Sequence, residues 1–205
     1  MSNIKIYLLS HLPVQNNLLK LVTGRRCLQR ILPQTKFLAK YIKLDLKKYG
    51  EISALIHSSL PRAVETALIC FEKCSIPLVE DDRITAIDYG DLHNLPSSEM
   101  EAHINNYISK PYPGGESFSD SAKRYRVFLD DMLIKFNGKQ ILLIGHNDTY
   151  PMLRHHCDGL TLENALRENI ILLQNLKINK LEDLIPIYSN FTGPFNYSNT
   201  KTTKS

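Results

Sequence analysis

Two of the seven histidines in this chain, His11 and His146, stand close behind short apolar runs, IKIYLL at 4–9 and QILLI at 140–144. A third apolar run, ISALIH at 52–57, ends in Ser58-Ser59, with Arg62 just inside the segment that follows. Runs of this kind read as buried strands, and open α/β sheets bind ligands beyond the carboxyl ends of their strands. The two imidazoles and the guanidinium are therefore expected to converge on one crevice. That set suits phosphoryl transfer. A neutral imidazole attacks phosphorus and carries the phosphoryl group. A second imidazole donates hydrogen bonds to the charged oxygens, and a guanidinium offers a planar fork for two of them. Pro61 suits the first turn of the helix that carries Arg62, whose free N–H groups would face an anion. Singly, each residue is an ordinary loop or capping group, and their shared placement carries the reading. His57, His93, His103, His155 and His156 lack such a constellation and read as structural or surface groups.

The elements that must position these residues alternate along the chain. Strands are expected over 4–9, 52–57 and 140–144, with a short extended piece over 77–80 and a last strand over Ile170 to Leu176. Helical spacing runs from Leu28 to Leu46, from Pro61 to Cys74, from Ser117 to Phe136 with Ser117 or Ser119 as N-cap, and from Pro151 onward. Residues 84–95 and the PYPGGE segment at 111–116 read as turns and loop. The alternation predicts a three-layer α/β/α sandwich with a mostly parallel central sheet. Neither a repeat nor a linker interrupts it, so one domain over 1–191 is expected, with a polar tail over 192–205.

Composition narrows the classes. The chain has 205 residues, 43% hydrophobic and 22% charged, with 25 Lys+Arg against 21 Asp+Glu and a formal charge of +4. Such a chain is too apolar and too nearly neutral for disorder, and its Gly and Pro numbers are ordinary. No dense basic run accompanies the pI of about 8.8, so no nucleic-acid partner is expected. Cys27, Cys70, Cys74 and Cys157 read as reduced thiols, with Cys70 and Cys74 on one helix face. No His or Cys cluster at zinc spacing is present, so no metal is expected. The N-terminal segment lacks the long apolar stretch of a signal peptide, and no run approaches the ~18 apolar residues of a membrane span. A cytoplasmic location without a membrane partner is the expectation.

Several segments then resemble the histidine phosphatase superfamily, in the branch of the cofactor-dependent phosphoglycerate mutases and small broad-range phosphatases. SSLPRAVETA at 58–67 is close to that family's Ser-x-x-x-Arg-Ala-x-x-Thr-Ala segment. PGGES at 113–117 matches the loop before its long helix. ILLIGHNDTYPML at 141–153 resembles the strand and second-histidine segment, GLTLENALRENI at 159–170 the closing region, and ITAIDYGDLHNL at 84–95 the acid-bearing segment. The resemblance spans roughly 4–176. It implies a phosphoglycerate mutase-like fold and a phosphorylated nucleophile at His11. It also implies a phosphate-binding arginine at Arg62, a stabilising second histidine at His146, and no cofactor. It leaves a homodimer open.

The departures from the family pattern are chemical. The family's Arg-His-Gly reads Ser10-His11-Leu12 here, so a phosphate-gripping arginine and a small residue are absent. The family's Glu is Ala86, which cannot protonate a leaving oxygen. Asn147-Asp148 follows the second histidine, where a glycine is common. Asp148 is the candidate substitute acid, since the acid-phosphatase and phytase branch carries an Asp beside its second histidine. Asp88 and Asp91 read rather as turn residues. Arg25 or Arg26 is the candidate replacement for the lost guanidinium, and Ser10 is placed with Arg25 and Arg62 among the substrate-binding residues. The reading favoured is a divergent phosphomonoester hydrolase acting on a small phosphorylated metabolite through a phosphohistidine. Two alternatives stay open: an impaired module that binds a phosphate-bearing ligand or protein partner, and a pocket turned to non-phosphate acid/base chemistry, made more apolar by Leu12.

Overall fold

The computed structural model describes residues 4–39, 42, 50–175 and 189–192. Strand β1 (Lys5–Ser10) leads to a short helix α1 (Gln15–Leu19) and a 3₁₀ segment over Pro33–Leu38. Strand β2 (Ala54–His57) runs into helix α2 (Pro61–Phe71), then strand β3 (Leu78–Glu80). Helices α3 (Ser97–Ala102) and α4 (Phe118–Lys135) precede strand β4 (Gln140–Gly145). Helices α5 (Thr149–Cys157) and α6 (Leu162–Asn175) and strand β5 (Ser189–Thr192) complete the order.

The sheet is ordered β3-β2-β4-β1-β5. β3, β2, β4 and β1 are parallel, and β5 adds an antiparallel edge to β1. Side chains of a strand alternate between faces, and here both faces are apolar. Ile6, Leu8, Ile56, Ile141 and Leu143 pack against Tyr125, Phe128 and Leu129 of α4 and Met152 and Leu153 of α5. Tyr7, Leu9, Leu55, Leu142 and Ile144 pack the other way, against Ala63, Ala67 and Phe71 of α2 and against Ile31 and Leu38. Burial of each large apolar side chain stabilises by about 1.5–3 kcal/mol. The two layers of contact make the three-layer sandwich expected from the alternation of elements.

Register brings the chemistry to one edge. Ser10 pairs with Gly145 and His57 with Ile144, so β1, β2 and β4 end side by side. The ladder runs one step further: His11 N–H donates to the Gly145 carbonyl at 3.0 Å, and Ser58 N–H to the Ile144 carbonyl at 3.1 Å. Gly145 is required at this edge, because a Cβ there would run into the Thr149 side chain.

Three expectations change. Residues 170–175 belong to helix α6, not to a strand; the antiparallel strand is the polar Ser189–Thr192. The helix expected from Leu28 is a 3₁₀ segment beginning at Pro33, and much of its expected remainder lies outside the described residues. Cys74 falls beyond the end of α2, so it does not share a helix face with Cys70. Ser117, not Ser119, caps α4: its Oγ accepts the Asp120 N–H while the Asp120 carboxylate accepts from Ser117. Residues 193–205, most of the expected tail, lie outside the described residues. Among the described residues no helix is long and apolar enough to cross a membrane.

Candidate active site

His11 follows β1 directly, and its ring is tautomerically fixed. Nδ1 lies 2.8 Å from the Leu12 carbonyl oxygen, an acceptor only, so Nδ1 carries the proton and Nε2 the lone pair. The loop that supplies this carbonyl is itself held: Leu12 N–H donates to Thr66 Oγ1 at 2.8 Å, and the Thr66 hydroxyl donates to the Arg62 carbonyl at 2.7 Å. The Leu12 side chain is fully buried among the residues beneath that face of the sheet. It fills core rather than lining the crevice, so the expected gain in apolar character of the pocket does not occur.

Arg62 lies in the first turn of α2, after Pro61, and is fully buried. Its Nε–H donates to His11 Nε2 at 3.2 Å. One terminal nitrogen donates to the Cys27 carbonyl at 2.6 Å and the other to the Gly24 carbonyl at 3.3 Å. Three bonds use three of five donors, so the guanidinium is aimed firmly and still holds N–H groups in reserve.

His146 follows β4 and is buried; its ring centroid is 5.3 Å from that of His11. Its N–H donates to Thr149 Oγ1 at 2.9 Å, the contact that Gly145 leaves room for. Nε2 lies 2.9 Å from Ser58 Oγ, and that oxygen already accepts the Leu60 N–H. A hydroxyl oxygen holds two lone pairs and one hydrogen, so this contact serves either ring tautomer. Nδ1 is buried and has no partner. A buried polar atom left without a partner costs about 1–3 kcal/mol, which an anion's oxygen recovers in the tautomer with the proton on Nδ1.

Electrostatics keep both rings neutral. Burial, then the Arg62 charge, pushes His11 down to about 3, against the raising effect of its bond to Leu12. Burial, then Arg62, holds His146 well below the usual histidine range, with His11, Arg124 and Arg25 adding to the effect. A neutral ring with an unprotonated Nε2 is the form that can act as a nucleophile once the Arg62 N–H gives way.

Asp148 stands two residues after His146 and is buried. Its Oδ2 accepts the Ile87 N–H at 2.5 Å, and its Oδ1 has no partner. Burial pushes its carboxyl above the ordinary carboxylate value, opposed by that N–H and by Arg124. It therefore reaches the backbone beside Ala86, the position left without a carboxyl. Arg25 reaches the same segment: its Nε–H donates to the Ala86 carbonyl at 3.2 Å and its terminal nitrogen to Glu116 at 2.7 Å. Arg26 instead pairs with Asp88 at 2.8 Å. Asp88 also accepts the Gly90 N–H, as a turn residue does. Ser10 ends β1 opposite Gly145, half-buried. Arg124 and Glu116, which sequence reasoning missed, stand beside this group: Arg124 pairs with Glu116 at 3.0 Å and Glu116 with Arg25.

A parallel α/β sheet with two neutral histidines and one buried arginine gathered at its carboxyl edge defines the class. Residues 36–183 match the histidine phosphatase superfamily (branch 1), and the chain belongs to that superfamily. The match takes in Arg62, His146 and Asp148 and begins after His11. A bifunctional protein of Mycobacterium tuberculosis is 30% identical over 116 residues, covering 53% of this chain and 32% of that protein. This chain thus spans about a third of that relative's length. A 2,3-bisphosphoglycerate-dependent phosphoglycerate mutase of Cytophaga hutchinsonii is 25% identical over 162 residues, 72% of this chain and 74% of the mutase. The solved mycobacterial glucosyl-3-phosphoglycerate phosphatase superposes with a TM-score of 0.69 at 19% identity, covering 80% of this chain and 84% of that one, a likeness of fold.

Proposed function

We propose that this chain hydrolyses small phosphomonoesters through a phosphoryl group held transiently on His11. The observation that carries the reading is the His11 ring: Nδ1–H is tied to the Leu12 carbonyl, which leaves Nε2 as the attacking atom, beside Arg62. The substrate phosphate takes over N–H groups of Arg62 and meets the partnerless Nδ1 of His146, which donates to it in the tautomer with its proton there. Nε2 attacks phosphorus, the N–P bond forms, and the P–O bond to the leaving group breaks. The protonated Asp148 carboxyl gives its proton to the departing oxygen. Water then attacks the phosphohistidine, Asp148 takes the water's proton, and inorganic phosphate leaves with His11 restored. General acid catalysis of this kind contributes about 10²–10⁴-fold. The relatives named as phosphoglycerate mutase and glucosyl-3-phosphoglycerate phosphatase support a small phosphorylated metabolite as substrate.

The test is acid- and base-resolved trapping of phosphoenzyme during turnover of a radiolabelled phosphomonoester. An acid-labile, base-stable label on wild type and none on His11→Ala is expected. Turnover by His11→Ala at the wild-type rate overturns the reading. A second reading, phosphate binding without turnover, draws on Ser10 and Ala86 standing where the family carries Arg and Glu. Phosphate binding by calorimetry with neither label nor product favours it.

A further inference from the structure

A hollow of about 370 Å³, of the size small metabolites occupy, is lined by Arg25, Ser59, Leu60, Asp82, Arg83, Thr85 and Arg124, with neither histidine in its wall. It adjoins the site through Ser59 and Leu60, which follow the His146 partner Ser58. Arg124 and Arg25 act on His146 electrostatically from its wall. Three guanidiniums line it, yet none is bare. Arg25 and Arg124 share Glu116, at 2.7 and 3.0 Å. Arg83 is held by Asp81 at 2.7 Å and Asp131 at 2.5 Å. The one cation that the shared Glu116 leaves over is matched by the Asp82 carboxylate on the same lining, which accepts the Ser59 hydroxyl. The four carboxylates outnumber the three guanidiniums by one, so the hollow offers donors and acceptors of both kinds and no surplus positive charge. A carboxylate entering it must compete with Glu116 for Arg25 and Arg124 and approach Asp82. A hydroxyl group meets paired donors and acceptors without that cost.

We propose that the leaving group taken by this site is uncharged and hydroxyl-rich, a polyol or sugar, and that Glu116 sets this preference by neutralising Arg25 and Arg124. The proposal rests on the phosphomonoesterase reading and names its substrate class. Glu116 is placed to act in this way by the N-cap that follows it: Ser117 starts α4, and Arg124 lies on that helix.

The test uses a matched pair on the same three-carbon skeleton, glycerol 3-phosphate and 3-phosphoglycerate, which differ by a hydroxymethyl group against a carboxylate. Wild type is expected to favour glycerol 3-phosphate in kcat/KM. Glu116→Gln keeps an acceptor for the Asp88 N–H that Glu116 now binds, and is expected to shift the ratio toward 3-phosphoglycerate by about tenfold, the scale of one charge at this range. Asp82→Asn, which touches neither Arg25 nor Glu116 chemistry, is expected to shift it in the same direction. A wild-type preference for 3-phosphoglycerate, or a ratio unmoved in both variants, overturns the proposal. Absence of turnover on either compound overturns the phosphomonoesterase reading alone. The same ratio is then read from calorimetric Kd values, where equal affinities or failure of both compounds to bind overturns the proposal as well.

Discussion

The guanidinium of Arg62 donates its Nε–H to Nε2 of His11 across 3.2 Å, and so covers the lone pair of the nitrogen that the proposed reaction needs. The contact is electrostatic as well as geometric, since the fixed positive charge opposes protonation of the ring. In the proposed reaction an incoming phosphate oxygen would exchange places with that lone pair as the acceptor, so that one residue would both keep the nucleophile neutral and receive the anion.

Arg62→Met separates these roles from simple packing. Burial, the larger cause, persists, so loss of the charge is expected to raise the His11 pKa above about 3 while leaving it below the ordinary 6.5, read by NMR titration of the ring. Phosphate binding is expected to weaken by roughly ten- to a hundredfold, the worth of a charged hydrogen bond. The Cys27 carbonyl loses the Arg62 donor, at a cost of about 1–3 kcal/mol in stability. An unchanged His11 titration would show that the arginine acts only as a structural strut.

Asp148→Asn opposes stability and activity. The folded-state pKa of this carboxyl is raised, so its contribution is present below the ordinary carboxylate value and lost as pH rises through the raised one. Above that raised value the native wild type carries a buried charge with an unpartnered Oδ1; the amide does not, and its oxygen still accepts the Ile87 N–H. A Tm advantage over wild type that grows as pH rises is expected, together with a fall in kcat of about 10²–10⁴-fold on alkyl phosphates. The fall should shrink for a nitrophenyl phosphate, whose leaving group needs no proton. An equal loss on both substrates removes Asp148 from the role of acid.

Much of this arrangement was legible from residue order alone, because strand ends are local features. His11, His146 and Arg62 each follow an apolar run, and parallel register does the rest. What stayed hidden depends on distance along the chain. Nothing near Glu116 or Arg124 signals that Arg25 comes to meet them from ninety-odd residues earlier. The run Ile170-Ile171-Leu172-Leu173 reads as strand because an unbroken apolar stretch has no period, and only its place in α6 decides. The edge strand Ser189–Thr192 lacks any apolar alternation and is made by pairing with β1. Leu12 appeared as a change in the pocket because its family position adjoins the nucleophile, whereas its side chain turns into the core.

Acid lability follows from the buried histidines. Burial, against its bond to the Ala122 carbonyl, pushes His156 down to about 4. Its folded pKa lies below the unfolded value, so the unfolded chain binds more protons in between and stability falls as pH drops from 6.5 toward 4. At pH 5 this residue accounts for about 2 kcal/mol of the loss. His156→Gln keeps a donor for Ala122 and is expected to flatten the fall of the urea midpoint between pH 7 and pH 5. A slope identical to wild type would assign the acid limb to His11 and His146 instead.

Leu12→Gly restores the family's residue beside the nucleophile and is expected to gain nothing. Leu12 has no positive φ that glycine would relieve. Its two backbone bonds, the N–H to Thr66 and the carbonyl to His11, do not depend on its side chain. The side chain is fully buried against the β1–α2 layer, and removing it leaves a cavity worth at least the 2–5 kcal/mol of a large-to-alanine change, with a further glycine entropy cost. For a chain of this size each kcal/mol moves Tm by about 2–4 °C. The expected result is a Tm lowered by several degrees or more, and a looser carbonyl behind His11 that lowers kcat/KM. Higher activity at unchanged Tm would show instead that Leu12 obstructs the crevice, and that the backbone around His11 is poised by something other than the packing described.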